Sequence, residues 1–113
     1  MKARVLEFRE VDREGFEDVR SGLKVIETRA AKSKYQIITE GDNLEFVCGD
    51  DTFTKKVLKK YYWPSIDAML AEIPFKKIMP RIESVEEMKK IYASYPNYDK
   101  EIPQFGLLGF ELE

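Results

Sequence analysis

Short stretches of apolar periodicity, separated by proline and glycine, limit this chain to a fold of short strands and helices. Proline removes a backbone donor and ends regular structure, and glycine supplies the left-handed conformation in which helices finish. Strands are predicted over 3–8, 24–29, 43–48, 53–62 and 106–112, and helices over 12–21, 65–73 and 84–95. Strands outnumber helices, and hairpins mix with helices. The pattern therefore predicts an α+β fold whose sheet is a small, partly closed mixed β-barrel with surrounding helices.

The first helix is predicted from a cap, an apolar stripe and a glycine. Asp12 is placed to cap it, and Gly22 is placed to end it in a left-handed conformation. The apolar residues that share its predicted inward face are Phe16, Val19 and Leu23. The strand over 24–29 follows directly, and the polar loop over 30–42 is of the kind that often carries function.

A hairpin is predicted where two apolar runs flank a turn. Residues 43–48 and 53–62 form its arms, and residues 49–51 form the connection. The second arm also fits a helical stripe, through Phe53, Val57, Leu58 and Tyr61. Its aromatic end and the following Pro64 favour a strand.

Two later helices begin at serine caps and end at prolines. Ser65 opens the first, which Pro74 stops, and the pattern Ser84–Glu87 is a capping box for the second, which Pro96 ends. Their inward-facing residues are predicted to be Ile66, Met69, Leu70 and Ile73, and then Val85, Met88, Ile91, Tyr92 and Tyr95. The last strand places Leu108, Phe110 and Leu112 on one face.

Composition excludes several classes of active site. The 113 residues fit a single domain over 1–113, with one cysteine and no histidine. Triads that need histidine and histidine-rich metal sites are therefore excluded within this sequence, and we expect neither a metal nor a cofactor. Cys48 lies in an apolar run and is interpreted as a small buried residue. No segment approaches a membrane span and no signal peptide is evident, so we expect a cytoplasmic protein with no membrane partner.

Charge is unevenly distributed, although the formal net charge is only −2. Residues 55–90 carry nine basic and five acidic side chains, while the flanking segments are each acidic. A basic segment can meet phosphates, or it can be a solvated face of lysines. Both interpretations stay open.

One segment carries chemical information, at the predicted junction of helix and strand. Glu27 and Arg29 share a strand face, and Lys24 lies in the turn, from which it could reach that face. Together they supply a carboxylate acceptor, a planar guanidinium and an ammonium. That set suits a nucleobase or nucleoside better than a hydrophobic ligand.

This segment resembles the signature of the ASCH family, which belongs to the PUA-like superfamily. The signature is a helix followed by Gly-x-Lys-x-x-Glu-x-Arg, which Gly22, Lys24, Glu27 and Arg29 match. Weaker matches follow in the family's order along nearly the whole chain, at Gly41, Asp42, Phe46, Tyr62, Ser65, Leu70, Tyr95, Pro96 and Gly106. The resemblance implies a PUA-like barrel with a cleft lined by the Lys/Glu/Arg segment, and a function linked to RNA or nucleosides.

Binding is the first functional hypothesis. RNA or a nucleoside-like small molecule would occupy the cleft, with Lys24, Glu27, Arg29, Tyr62 and Ser65 as the predicted ligand-binding residues. Glu27 would accept hydrogen bonds from a base edge, Arg29 would orient Glu27 or grip a phosphate, and Lys24 would pair with a ligand oxygen. A tyrosine, Tyr62 or Tyr95, could stack on a base.

Hydrolysis of an acylated nucleoside is the alternative, because one subgroup of the family hydrolyses N4-acetylcytidine. The pattern of that subgroup uses a lysine, a threonine and a glutamate. Here Lys24 keeps the lysine, Glu27 replaces the threonine, and ungapped counting places Arg81 at the glutamate, with Glu83 two residues away. Lys24 and Glu27 are the catalytic candidates, with Glu83 a weaker one, and whether the protein is an enzyme stays open.

A third hypothesis is structural. Glu27 and Arg29 would brace the barrel as a buried ion pair, and function would depend on a protein partner. On that hypothesis the variant Arg29→Ala unfolds, whereas the ligand-site hypothesis predicts a folded variant that has lost binding. We expect the folded outcome.

Overall fold

Five strands in the described part of the chain form one curled mixed sheet, with helices on both of its faces. The structure is a computed structural model that describes residues 4–113. Residue 3, the predicted start of the first strand, lies outside the described residues. The strands are β1 (Arg4–Phe8), β2 (Ile26–Ala30), β3 (Asn43–Cys48), β4 (Asp51–Trp63) and β5 (Leu107–Leu112). The helices are α1 (Arg13–Ser21), α2 (Ser33–Gln36), α3 (Ile66–Glu72), α4 (Val85–Ser94) and α5 (Tyr98–Phe105).

The order of the strands leaves the barrel open along one seam. It runs β1-β3-β4-β5-β2, with β1 and β3 parallel and the other neighbours antiparallel. The long strand β4 joins the two halves, and its register shifts between Val57 and Lys59. The α+β class and the partly closed sheet are thus confirmed as a five-strand half-barrel, whose edge strands are β1 and β2.

Helix α1 forms where the sequence predicts, although two details differ. Gly22 follows it with φ 87°, the left-handed conformation that glycine adopts without strain. Asp12 precedes the helix, but its carboxylate accepts from Arg9 at 2.7 Å and does not cap. The prediction that Leu23 packs inward is wrong, since its side chain is 53% exposed. The chain turns at Gly22, so a residue beyond the turn no longer shares the helical face.

The hairpin and the serine-capped helices are confirmed. Strands β3 and β4 pair from Cys48 opposite Asp51, which settles the second arm as a strand. Ser65 Oγ accepts from the Ala68 N–H, and Ser84 Oγ accepts from the Glu87 N–H. No helix is predicted between Pro96 and the last strand, yet that segment folds as α5 with Pro103 inside. The short helix α2 also lies within the loop predicted over 30–42.

Two apolar clusters pack on opposite faces of the sheet. One lies inside the curl beneath α1, and includes Phe16, Phe46, Phe110 and the buried Cys48. The other lies beneath the later helices, and includes Trp63, Met69, Tyr92 and Leu107. Strand β5 is therefore buried on both faces, because Phe110 joins the first cluster and Leu107 the second. Its neighbour β2 is buried in the same way, which brings two charged residues of β2 into the interior of the curl.

Candidate functional site

A cavity of about 360 Å³ opens at the seam between the two edge strands. Strand β1 contributes one wall, strand β2 contributes the floor, and α1 and the end of α4 close the sides. Its lining includes charged and aromatic residues, namely Glu7, Phe8, Asp18, Lys24, Glu27, Arg29, Tyr35, Arg81, Tyr95 and Tyr98. The lining also includes an apolar wall, with Ile78, Met79, Ile82 and Ile91.

The turn after α1 places Lys24 at the edge of this cavity. The Lys24 backbone N–H donates to the Asp18 carbonyl at 2.9 Å, so the chain folds back onto the helix before β2 begins. On β2, Glu27 and Arg29 face the interior of the curl, opposite Phe110 and Leu108 of β5. The alternation of a strand therefore brings both residues to the face that Lys24 reaches from the turn.

Lys24, Glu27 and Arg29 form a buried ion triad. Lys24 Nζ lies 2.8 Å from Glu27 Oε1, and Arg29 Nη2 lies 2.9 Å from Glu27 Oε2. The side chains of Lys24, Glu27 and Arg29 are only 10%, 3% and 13% exposed. The structure thus brings together the three residues of the Gly-x-Lys-x-x-Glu-x-Arg segment on which the sequence analysis relied.

The triad holds Glu27 as a carboxylate. Burial by itself would raise the pKa of Glu27, but the charges of Lys24 and Arg29 and their hydrogen bonds outweigh it, and the pKa lies below its ordinary value. For Arg29, burial lowers the pKa while Glu27 raises it, and the net direction is upward. Glu27 and Arg29 are therefore both charged at neutral pH.

Glu27 is occupied by the protein itself. Its Oε1 accepts from Lys24 and from the Thr28 backbone N–H at 3.2 Å, and its Oε2 accepts from Arg29. A carboxylate has about four acceptor positions, so little capacity is left for a ligand. In this geometry Glu27 holds Lys24 and Arg29 in place, and its role as a direct acceptor for a base edge stays a prediction.

Arg29 is held in place from several sides. Its Nη1 donates to the Glu7 carbonyl of β1 at 3.2 Å, which spans the open seam. The guanidinium carbon lies 4.9 Å from the ring centre of Phe8 and 5.7 Å from that of Tyr35. Such cation–π contacts are favourable, and more so where water is excluded. Arg29 is therefore preorganised with its charge at the cavity floor.

A second ion pair, which the sequence analysis missed, forms another wall of the cavity. The Arg81 Nε and Nη2 donate to the two carboxylate oxygens of Asp18, each at 2.8 Å. Asp18 is 5% exposed and lies on α1, whereas Arg81 lies on the segment before α4. Asp18 is one of three buried residues of α1, together with Phe16 and Val19. A carboxylate at a buried helical position indicates a charged partner, but that partner, Arg81, is 63 residues away along the chain.

Tyrosines just after α4 and at the start of α5 form the aromatic side of the cavity. Tyr95 and Tyr98 line it with their rings edge to face, their centres 5.3 Å apart. Burial raises the pKa of both hydroxyls, so they remain protonated and can donate hydrogen bonds at neutral pH. Behind them, the Tyr92 hydroxyl and Thr28 Oγ1 share a buried 2.6 Å hydrogen bond. Thr28 thus faces away from Glu27 and Arg29, in keeping with the alternation of side chains along a strand.

Three predicted site residues lie elsewhere. Tyr62 is 58% exposed, and its hydroxyl donates to the Phe105 carbonyl. Ser65 is committed to capping α3. The side chain of Glu83 is 82% exposed and faces Lys76. None of the three is among the residues that line the cavity at the β1–β2 seam.

The basic segment does not surround the cavity either. Of the basic side chains within 55–90, Arg81 alone is among the described cavity residues. The rim is mixed in charge, since Arg9 pairs with Asp12 at 2.7 Å and the exposed Glu7 and Glu14 also contribute. The described residues around the cleft therefore form no basic rim, and most of the basic side chains of residues 55–90 lie away from the cavity.

Across residues 4–113, no group of three or more His, Cys, Asp or Glu side chains is placed to hold a metal ion. No helix in the same range has the length and apolar composition that crossing a bilayer requires.

Two solved structures resemble this fold over almost the entire chain. Hypothetical protein PH0355 superposes with a TM-score of 0.83 at 26% sequence identity, covering 100% of this chain and 98% of its own. Protein PF0455 from Pyrococcus furiosus superposes with a TM-score of 0.76 at 25% identity, covering 99% of this chain and 96% of its own. No protein-family model and no curated protein matches the chain. The half-barrel fold is thus shared with solved proteins whose names state no activity.

Proposed function

We propose that this chain is an ASCH-type, PUA-like domain that binds RNA or a nucleoside- or nucleotide-like ligand in the cavity between β1 and β2. The observation that carries the proposal is the buried triad of Lys24, Glu27 and Arg29 at the cavity floor. Charged groups are expensive to bury, and a set of them facing an open cavity is typical of a functional site.

The size of the cavity supports a small ligand. Small-molecule sites have volumes of roughly 300–1,000 Å³, and this cavity has about 360 Å³. It can therefore hold one nucleoside-sized group, but not a length of folded strand. An RNA ligand would place a single unstacked base or nucleotide in it, which is how proteins commonly read single-stranded RNA.

The chemistry of the lining supports a ligand that is both aromatic and rich in acceptors. Lys24 and Arg29 can only donate hydrogen bonds, so the group that meets them must accept. Tyr95 and Tyr98 add aromatic surface to the lining of the same cavity, and stacking on such side chains is worth ~1–3 kcal/mol per base. A nucleobase with its sugar or phosphate combines these properties.

The geometry favours binding over hydrolysis. A general acid or base works best when its pKa is close to the working pH, whereas the pKa of Glu27 is lowered. The Lys24 ammonium donates to Glu27, Thr28 is bonded to Tyr92, and Glu83 is exposed away from the cavity. Glu27 stands where the hydrolase pattern has its threonine, and Glu83 lies away from Lys24, so the lysine, threonine and glutamate of that pattern are not brought together.

Isothermal titration calorimetry at low salt tests the proposal. The ligands are the four ribonucleosides, their 5′-monophosphates and a short single-stranded RNA of mixed sequence. We expect at least one of them to bind, and Arg29→Ala to weaken that binding about tenfold or more, since hydrogen bonds to charged groups are worth roughly 1.5–3 kcal/mol.

Lys90→Met is the matched control, because it removes one positive charge from the exposed side of α4, away from the cavity. Binding should be unchanged in this variant. If no ligand bound the wild-type protein, the proposal would be rejected. Incubation with N4-acetylcytidine, with Lys24→Ala as the blank, tests the hydrolase alternative, for which we expect no turnover.

A further inference from the structure

The charges at the cavity floor do not cancel. Lys24 and Arg29 carry two positive charges, and Glu27 supplies one negative charge between them. We infer, resting on the proposed function, that the ligand carries a phosphate, and that this phosphate takes the remaining N–H donors of Lys24 and Arg29. The ligand class is then a nucleotide, and a neutral nucleoside would be the weaker binder.

Unused donors support this assignment. An ammonium has three N–H donors and a guanidinium has five. Among the described residues, Lys24 Nζ makes one contact, to Glu27, and Arg29 makes side-chain bonds to Glu27 and to the Glu7 carbonyl. Both groups therefore keep donors for oxygen atoms in the cavity. A phosphate offers several acceptor oxygens and meets a guanidinium with matching geometry.

The other charges around the cavity do not neutralise the floor. Arg81 and Asp18 pair with each other, as do Arg9 and Asp12. The remaining carboxylates, including Glu14 with its side chain 71% exposed, lie at the rim, where water and salt screen them. The excess positive charge is thus localised at the most buried part of the cavity, where an anion gains most from it.

The rest of the cavity suits a base attached to that phosphate. Ile82 and Met79 form an apolar wall, and Tyr95 forms an aromatic one. Arg29 is fixed by Phe8, Tyr35 and Glu7 before any ligand arrives, so its charge need not be reoriented on binding. Preorganised donors of this kind lower the cost of ordering a site.

Paired titrations test the inference. Each ribonucleoside is compared by calorimetry with its own 5′-monophosphate, and inorganic phosphate is titrated alone. For the base that binds, we expect the monophosphate to bind about tenfold more tightly than the nucleoside, and the free phosphate to bind more weakly than the nucleotide. The phosphate could belong to RNA, as a diester, or to a free mononucleotide, and a dinucleoside monophosphate distinguishes the two. If this diester binds as tightly as the monophosphate, the site is assigned to RNA, and if it binds more weakly, the site is assigned to a free mononucleotide.

Lys24→Met is the decisive variant. It replaces the lysine by an unbranched neutral side chain only one atom shorter and leaves a neutral Glu27–Arg29 pair. The preference for the monophosphate should therefore fall to below about threefold while nucleoside binding persists. Lys90→Met should keep the preference. Equal binding of nucleoside and monophosphate by the wild type would overturn the inference and leave the proposed function standing, whereas the absence of binding by every ligand would overturn both. Free phosphate binding as tightly as the nucleotide would overturn the assignment to nucleotides.

Discussion

Replacing Glu27 with glutamine tests the energetics of the buried triad directly. The amide has nearly the same size as the carboxylate, but it removes the only negative charge between Lys24 and Arg29. Both cations then remain within a region where their side chains are 10% and 13% exposed. The variant therefore isolates the cost of an uncompensated buried charge.

The expected loss of stability is large for a single isosteric change. Removing one partner of a buried ion pair costs about 3–5 kcal/mol. With an unfolding entropy of about 2.1 cal/mol/K per residue, a chain of this length loses about 4 °C of Tm per kcal/mol. Glu27→Gln should therefore lower the Tm by about 12–20 °C at pH 7.

Thermal and urea unfolding followed by circular dichroism measure this loss. Glu17→Gln is the control, because its carboxylate forms an exposed pair with Arg20 on α1, and such pairs contribute about 0–1 kcal/mol. If Glu27→Gln and Glu17→Gln were equally stable at pH 7, the argument for a costly buried triad would be refuted.

Acid pH supplies a second test of the same reasoning. The pKa of Glu27 in the folded protein lies below its ordinary value of 4.5. Its contribution to stability is therefore complete above that value and is lost as the pH falls through the folded pKa. The difference in stability between wild type and Glu27→Gln should be full at pH 7 and should narrow below about pH 4.5. If the difference in stability between wild type and Glu27→Gln stayed constant down to the pH of acid unfolding, the lowered pKa of Glu27 would be contradicted.

Three further variants test other parts of the structure, each by a thermal melt. Tyr92→Phe removes the buried hydrogen bond to Thr28 and should lower the free energy of unfolding by about 1–3 kcal/mol, since the threonine hydroxyl loses its partner. An unchanged stability would contradict this, because it would mean that the hydroxyl of Thr28 finds another partner, such as water. Gly109→Ala puts a Cβ 2.6 Å from the Trp63 ring and should cost about 1–3 kcal/mol through overpacking; an unchanged Tm would mean that the ring moves freely. Arg29→Ala should remain folded and lose less than about 3 kcal/mol, because Lys24 still neutralises Glu27; an unfolded variant would favour the structural-brace hypothesis.

Local sequence signals determined most of the secondary structure. Gly22 ends α1 and Ser65 and Ser84 cap their helices, because each effect depends on residues only a few positions apart. The strand character of β4 was also predicted against a competing helical stripe. The local sequence did not predict α5, which contains Pro103. Ile102 of this helix is buried in the second apolar cluster, and such a contact with distant residues cannot be inferred from neighbours in sequence.

The sequence by itself brought Lys24, Glu27 and Arg29 together, because strand alternation and one turn suffice to align them. The tertiary structure alone decided what surrounds them. The seam between β1 and β2, the Asp18–Arg81 pair and the tyrosine wall join segments that lie tens of residues apart. The tertiary structure also places Tyr62 and Ser65 away from the cavity. The sequence could not show this, because the curl of the sheet decides which strand faces and helix ends meet at the β1–β2 seam. Burial then fixed the chemistry, because the same three charges on an exposed surface would be screened by water and would favour no particular ligand.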